Sequence, residues 1–166
     1  ILAQLPNILS GITINRAEVW VTNKTGQTTN TRNIIALTDL GEASKIHNPL
    51  WTAGSTTVPA NAANTLYNIV SGINGVRNIS TATSALDGFG LTGGVDYEKL
   101  ESARLLSPSE YKVNAALGYI SLRSALQPDQ VLAVAFEYTY RGTNYQVGEF
   151  STDRKDFRQA YRLRRG

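Results

Sequence analysis

The sequence predicts an α+β fold in which a mainly antiparallel sheet carries about three short helices, inserted between N-terminal and C-terminal groups of strands. Two observations support this fold class. Runs rich in β-branched and aromatic residues occur up to residue 38 and again after residue 118. Segments with helical character lie between them, whereas an α/β protein would alternate strands and helices along the chain.

The N-terminal group comprises two predicted strands. The first lies in GITINRAEVWVTN, residues 11–23. Its apolar alternation slips between Ile14 and Val19, which is typical of a β-bulge or of a strand buried on both faces. The second strand is predicted at residues 32–38, before the turn-like sequence DLGE.

Residues 43–60 are predicted to form a long loop, because Pro49, Gly54 and Pro59 stand there among serines and threonines. A loop of this length is either functional or ordered by a few anchoring side chains. Trp51 is the expected anchor.

Three helices are predicted in the central part of the chain. The first covers residues 61–72 with Asn61 as its N-cap, and the second covers residues 79–86. The third covers residues 96–105 with Asp96 as its N-cap.

The C-terminal group begins with a short strand in GYISL, residues 118–122. A hairpin follows, whose arms VLAVAFEYTY and NYQVGEF flank the turn Arg141-Gly142-Thr143. The first arm has one large apolar face and one small, partly polar face, as expected of a strand that packs on a core. The large face comprises Leu132, Val134, Phe136, Tyr138 and Tyr140.

Gly88, Gly90 and Gly93 form a G-x-G-x-x-G pattern, the spacing of a dinucleotide-binding loop. That loop requires a strand before the glycines, but the preceding residues predict a helix. The acids Asp96 and Glu98 would also repel a phosphate. We therefore interpret these glycines as a joint between two helices and predict no nucleotide cofactor.

The composition excludes several kinds of site. Without cysteine the chain forms no disulfide, thiolate metal site or cysteine nucleophile, and its single histidine excludes any site that needs two imidazoles. We predict a non-enzymatic chain with no catalytic, cofactor-binding or metal-binding residues.

The net charge of +3 is concentrated at the C-terminus, where residues 153–166 hold six basic against two acidic residues. The remainder is close to neutral, so no basic surface for nucleic acid is predicted. Two parts of the chain are distinguished, a single α+β module at residues 1–153 and a basic tail or linker at residues 154–166. In the tail, Asp153 is interpreted as the cap of a helix with a narrow apolar stripe, and a solvated chain end is favoured over a contact with anionic lipid.

No run in the sequence is long and apolar enough for a membrane-spanning helix. The chain starts at Ile1 without methionine, and no signal-peptide pattern is visible in its first residues. It is therefore interpreted as a processed or excised piece of a protein.

Three blocks carry a resemblance to a known family. They are INRAEVWVTNKTGQTTNTRNIIALTDLGE, GLTGGVDYEKLESARLLSPSEY and LGYISLRSALQPDQVLAVAFEYTYRGTNYQVGEFSTD, and the resemblance runs from about Gly11 to Asp153. In these blocks the sequence resembles the N-terminal region of the SprA/Sov family. The family comprises very large cell-surface proteins of Bacteroidetes that serve gliding motility and form the outer-membrane translocon of type IX protein secretion. Residues 154–166 depart from the pattern.

The resemblance implies a structural or recognition module attached to a large outer-membrane barrel. Its expected partners are the remainder of its own chain and proteins of the secretion system. Its expected location is the cell envelope, in association with the outer membrane.

Several polar residues are candidates for functional sites. His47 has no acid within three residues, and it is interpreted as a loop histidine without a catalytic role. Glu98 and Glu101 are expected in the first turns of the third helix, where the helix dipole favours acids. Asp39 and Glu42 lack the dense ligand pattern of a calcium loop, so a turn is predicted there.

Two alternative functions stay open. A secreted carbohydrate-binding or adhesin-like domain would present Trp20, Trp51 or tyrosines as a sugar-stacking platform, although Trp20 is predicted to lie in the core. A lipid-embedded barrel hairpin at residues 131–150 would require a polar lumen for Glu137 and Glu149.

Overall fold

The structure is a computed structural model that describes residues 11–153 and the backbone of residues 159–164. The α+β class is confirmed, with two short helices in the described part of the chain instead of about three. The elements are β1 Ile12–Val21, β2 Thr31–Leu37, α1 Leu66–Gly72, α2 Ala82–Gly88, β3 Tyr97–Leu105, β4 Tyr111–Asn114, β5 Tyr119–Leu122, β6 Leu132–Tyr140, β7 Thr143–Val147 and β8 Gln159–Arg164.

Five strands form a closed sheet. The order β1-β3-β2-β8-β6 returns to its start because β1 also pairs with β6. Every pair in this sheet is antiparallel except β2 with β8. Two strands share one edge of β6. β8 pairs with the first half of that edge, and β7 pairs with the second half. The strands β4 and β5 form a separate two-stranded sheet.

Small side chains line the interior of the closed sheet. Ala36, Ala103, Ala133 and Ala135 are fully buried in one cluster with Trp20 and larger residues of the other strands. A closed sheet of so few strands has a narrow interior, so small residues must alternate there with large ones. The cluster comprises Trp20, Ile34, Ala36, Leu100, Ala103, Ala133, Ala135 and Phe150.

The opposite face of β6 packs outward. Val134 contacts a cluster beneath the β4–β5 hairpin, and Phe136 contacts both that cluster and the core beneath the helices. The prediction of a large, core-packed face is confirmed, but the sequence did not show that the small face is equally buried. β6 is therefore the central strand of the fold, with core on both sides.

The predicted irregularity of β1 is a β-bulge. The register with β6 shifts between Ile14 and Arg16, so Asn15 is the extra residue. The amide nitrogen of Asn15 donates to Glu137 Oε1 at 3.2 Å and to Thr139 Oγ1 at 3.0 Å.

The hairpin prediction is also confirmed. Arg141 and Gly142 both have positive φ, 50° and 77°, between β6 and β7. A two-residue loop of this kind matches the right-handed twist of the flanking strands.

The helix predicted at residues 96–105 is wrong, because these residues form β3. A bulge explains the misleading pattern. The register with β2 shifts between Arg32 and Ile34, which pair with Ala103 and Leu100. Ser102 adopts φ of 49° there, and its N–H donates to Asn33 Oδ1 at 2.8 Å. The bulge spaces the interior residues Leu100 and Ala103 by three, which resembles helical periodicity.

The other two predicted helices exist with shifted boundaries. α1 begins at Leu66, so Asn61 is not its N-cap. Asn64 instead accepts the N–H of Leu66 at 2.8 Å through its side-chain oxygen. α2 extends to Gly88, two residues beyond the predicted end.

The strand predicted in GYISL is confirmed as β5, but its partner β4 was not predicted. The sequence SPSE before β4 is rich in turn-forming residues. It does form a turn, in which Glu110 donates its N–H to the carbonyl of Ser107 at 2.9 Å. The strand that follows has only four residues, too few for a clear alternation.

The predicted C-terminal helix is wrong for residues 159–164, which form β8. This strand pairs with β2 from Ile34 to Leu37 and with β6 from Leu132 to Val134. Residues 154–158 and 165–166 of the predicted basic tail lie outside the described residues.

The long loop at residues 43–60 is confirmed, as is its anchor. Trp51 is 4% exposed and belongs to the core beneath the helices, with Leu66 and Leu86 among its members. The segment around Gly54 lies against the residues that precede α1. The N–H of Gly54 donates to the carbonyl of Ala63 at 2.9 Å. Ser55 repeats this contact with Ala62, also at 2.9 Å.

Replacement of Gly54 by alanine is expected to lower the free energy of unfolding by about 2 kcal/mol or more. The added Cβ would overlap the carbonyl oxygen of Ala62 and lie 2.9 Å from two backbone carbonyl carbons, which breaks both loop hydrogen bonds. Urea denaturation followed by tryptophan fluorescence measures the change. The matched control is Gly72→Ala, whose Cβ meets nothing within 4 Å. Equal midpoints for the two variants would contradict the prediction.

Candidate functional site

The glycine segment connects α2 to β3. A helix precedes Gly88, so the expected lack of a preceding strand is confirmed, but the interpretation as a joint between two helices is wrong. Gly90 and Gly94 have positive φ, 93° and 82°. The carboxylate of Asp96 accepts the N–H of Thr92 at 2.7 Å. A loop amide that a nucleotide phosphate would need therefore already binds an internal acid.

Asp96 is not a helix cap but part of a buried polar network. Its second oxygen accepts the side-chain amide of Asn48 at 3.0 Å. Asp39 accepts the backbone N–H groups of His47 and Asn48 at 3.0 and 2.9 Å. Asp39 and Asp96 are 4% and 9% exposed. The two carboxylates thus fix the long loop against the beginning of β3.

The predicted turn at Asp39 and Glu42 is confirmed, since the N–H of Glu42 donates to the carbonyl of Asp39 at 3.1 Å. The side chain of Asn64 donates to the carbonyls of both residues, at 2.8 and 3.1 Å. Among the described residues no cluster of three or more acids and histidines could hold a metal ion. Asp39 is therefore a loop anchor.

His47 is exposed on the long loop, and its described contact is the backbone bond to Asp39. Glu98 and Glu101 lie on β3, so the explanation by a helix dipole is wrong together with the helix. Glu101 forms an ion pair with Lys99 at 2.9 Å, and its side chain is 65% exposed. A pair as exposed as this contributes little to stability.

A buried ion pair that the sequence did not indicate connects the segment between α1 and α2 to the residues after β7. Arg77 donates to both carboxylate oxygens of Glu149, at 3.0 and 2.8 Å, and the hydroxyl of Tyr67 donates to the same carboxylate at 2.8 Å. Glu149 is 3% exposed. The hydrogen bond to Glu149 raises the pKa of Arg77, and burial raises the pKa of Tyr67.

A second polar cluster lies beside the interior of the closed sheet. Glu18 accepts Arg16 at 2.6 Å and both the N–H and the hydroxyl of Ser151, at 2.9 and 2.8 Å. The guanidinium of Arg16 lies 4.1 Å from the ring centroid of Phe150. These contacts hold the segment after β7 against β1 and cover the interior cluster.

Both tryptophans are buried. Trp20 is 2% exposed in the sheet interior, as predicted, and its indole N–H has no hydrogen-bond partner in the described residues. Trp51 stacks on Phe89 with ring centroids 6.2 Å apart. A buried Trp51 has no free face for a sugar ring, so it cannot serve as the platform of the carbohydrate-binding alternative.

The open strand edges are short. Asn61 donates its backbone N–H to the carbonyl of Gln146 at 2.7 Å, and its side-chain amide bonds the N–H and carbonyl of Gly148 at 2.8 and 3.0 Å. This residue therefore continues the ladder along the outer edge of β7. Residues 143–145 of β7 lie beyond this contact. On β1, the described strands leave the outer side of residues 13–18 without a strand partner.

Large apolar side chains are exposed at several places in the described residues, which include Ile12 on β1, Val95 before β3 and two further pairs. On the loop surface Leu50 and Phe89 are 49% and 42% exposed, and Leu50 lies beside Gly90. At the turn of the β4–β5 hairpin Leu117 and Tyr119 are 48% and 50% exposed. Exposed apolar side chains that lie together mark surfaces for association.

Two buried tyrosines, Tyr97 and Tyr138, make the stability of the fold depend on alkaline pH. Burial raises the pKa of Tyr97 to about 12, with the hydrogen bond to Asp87 as the second cause. Burial also raises the pKa of Tyr138 to about 12, with Tyr145 as the second cause. Unfolded tyrosine loses its proton near pH 10. The stability that these two tyrosines contribute is therefore fully present below pH 10 and is lost as the pH rises towards 12.

We expect the urea midpoint to decrease between pH 10 and pH 12, and to decrease less in the variant Tyr97→Phe/Tyr138→Phe. Ultraviolet absorbance of tyrosinate identifies the same transition. Tyr119→Phe, at an exposed position, is the control and should leave the slope unchanged. The prediction fails if the double variant loses stability as steeply as the parent chain.

No protein-family model matches the sequence, and no curated protein matches it. Within the described residues, neither helix is long or apolar enough to cross a bilayer.

Proposed function

We propose that the chain is a non-catalytic interaction module of a SprA/Sov-like cell-surface protein, which serves type IX protein secretion and gliding motility at the outer membrane. One observation supports the non-catalytic part: every buried acid and amide side chain in the described part of the chain is bonded within the fold. These residues are Glu18, Asp39, Asn48, Asn64, Asp96 and Glu149.

Their partners explain what these groups do. Each carboxylate binds backbone amides of a neighbouring segment, an arginine or a hydroxyl group, so each fixes a loop or a strand end. A catalytic acid or base instead needs an unengaged atom directed at a substrate. The polar chemistry of the chain is thus used to build a rigid scaffold that presents its surface.

The surfaces that such a scaffold offers are the outer side of β1, the tip of the β6–β7 hairpin, the loop surface around Leu50 and the β4–β5 hairpin. An unpaired strand edge accepts a further strand through main-chain hydrogen bonds. The partners in this proposal are the remainder of the same chain and proteins of the secretion system.

The experiment is an in-frame deletion of the module from its full-length gene in the bacterium of origin. Secretion of type IX substrates into the medium and spreading on agar are measured. Surface labelling of the remaining protein shows whether the barrel still inserts. We expect secretion and spreading to be lost while insertion persists. A point variant at the exposed pair, Lys99→Ala, is the control that should behave as wild type.

Two results would contradict the proposal. Unchanged secretion and spreading would exclude a role in the translocon. Retention of the isolated chain on a broad glycan array would instead support the carbohydrate-binding alternative.

A further inference from the structure

The β4–β5 hairpin stands apart from the closed sheet. Its base is attached, since the hydroxyl of Tyr111 donates to the carbonyl of Ala17 at 3.2 Å and Leu122 packs on the cluster around Val19. Exposure increases towards the turn, where Leu117 and Tyr119 are half exposed. The hairpin therefore projects two large apolar side chains from a polar surface.

The tip has its own internal hydrogen bonds. The side-chain oxygen of Asn114 accepts the N–H of Leu117 at 3.0 Å, and its carbonyl accepts the N–H of Gly118 at 2.8 Å. Gly118 has φ of 71°, as this tight turn requires. Two turn amides thus have partners already, which lowers the cost of moving the tip out of water.

Positive charge flanks the tip without acidic partners. Lys112 pairs in register with Ser121, two residues from the pair Asn114 and Tyr119, so it lies on the same face as Tyr119. Arg123 follows β5. Neither side chain forms an ion pair with a described residue, and the carboxylate of Glu110, next to β4 in sequence, binds Arg104 at 2.9 and 3.0 Å.

From these observations we propose that the tip of the β4–β5 hairpin binds an anionic lipid surface, with Leu117 and Tyr119 inserted among the headgroups, Lys112 at the level of the phosphates and Arg123 further out, at the base of the hairpin. The inference rests on the proposed function, which places the chain beside a bilayer. It adds a lipid contact that the scaffold role does not require.

The dimensions agree with this arrangement. The pair nearest the turn is Asn114 and Tyr119. At the rise of a β-strand, Lys112 lies about 7 Å and Arg123 about 13 Å along the hairpin from this pair. Apolar groups of interfacial segments enter the boundary between headgroups and acyl chains by about 5–10 Å. The cations then lie within about one Debye length of the lipid phosphates. Tyrosine is also a favoured residue at this depth, because its ring is amphipathic.

Lipid fits the tip better than a protein groove does. A stable protein interface buries a broad and shape-complementary area, whereas two apolar side chains on a convex turn offer little. A lipid surface adapts to a convex tip and supplies many anions for unpaired cations.

The experiment uses the full 166-residue chain and co-sedimentation with vesicles. One set contains phosphatidylcholine alone, and the other contains phosphatidylcholine and phosphatidylglycerol in equal parts. We expect binding to the anionic set, which weakens as salt is added. Leu117→Ser should lower the partition coefficient about tenfold, and Lys112→Ser about fivefold together with a flatter salt dependence.

The matched control is Leu50→Ser, because Leu50 is as exposed as Leu117, at 49% against 48%. It should bind as wild type does. All variants keep residues 154–166, so any contribution of that basic segment is constant. Thermal denaturation of each variant shows that the fold is retained.

Three results would overturn the inference: no binding to anionic vesicles at low salt, equal loss in Leu50→Ser and Leu117→Ser, or binding only to native outer-membrane vesicles that protease treatment abolishes. The last would assign the tip to a protein partner. Each result leaves the proposed function to the deletion experiment. Failure of that deletion experiment, in turn, leaves the vesicle result unaffected.

Discussion

Removal of residues 159–166 is expected to unfold the chain at room temperature. β8 fills the gap between β2 and β6, with four residue pairs on one side and three on the other. Without it, the backbone groups of Ile34–Leu37 and Leu132–Val134 lose their partners on the side that faces β8, and the cluster around Trp20 opens to water. The loss is on the order of 5 kcal/mol, comparable to the total stability of a small domain.

Circular dichroism and urea denaturation of the truncated chain measure this effect. The matched control ends at Arg164 and keeps β8 complete. Adding a synthetic peptide of residues 154–166 should restore the folded signal of the truncated chain, because a missing strand can be supplied in trans. A truncated chain with the urea midpoint of the control would show that the sheet does not depend on β8.

Replacement of Arg77 by alanine is expected to lower the free energy of unfolding by about 3 kcal/mol. Glu149 would stay buried with Tyr67 as its remaining partner, and an uncompensated carboxylate in a buried site is costly. Urea denaturation at neutral pH measures the change. The control Lys99→Ala breaks the exposed pair with Glu101 and should cost less than about 0.5 kcal/mol.

A second variant separates charge from packing. In Arg77→Leu/Glu149→Leu both charges are replaced by apolar groups, so neither is left unpaired. We expect this double variant to be more stable than Arg77→Ala. If both variants are equally destabilised, the loss arises from packing of the arginine side chain and not from the carboxylate it leaves behind.

Local patterns predicted the elements whose structure depends on neighbours in sequence. The slip between Ile14 and Val19 indicated the bulge of β1, and Arg141-Gly142 indicated the turn after β6. The loop anchored by Trp51 and the turn at Asp39 were also predictable, because proline, glycine and aspartate act there through their own backbone preferences.

The wrong predictions concern residues whose partners are distant. Residues 96–105 have good helix formers, and the bulge at Ser102 imitates helical spacing, but pairing with β2 overrides both. β8 has a strongly basic sequence and joins strands that lie far earlier in the chain. Arg77 and Glu149 are 72 residues apart. A lone glutamate in the apolar run YQVGEF was the one available signal for this ion pair.

The closure of the sheet also determines when the chain can acquire its structure. The partner of Val21 is Leu132, and the partners of Ile34–Leu37 include residues 159–162. β1 therefore lacks its main partner until β6 has been synthesised. Strand pairs between residues that are far apart in sequence form slowly during folding. Closure of the sheet is therefore a late step of folding, because it requires strands from both ends of the described chain to meet.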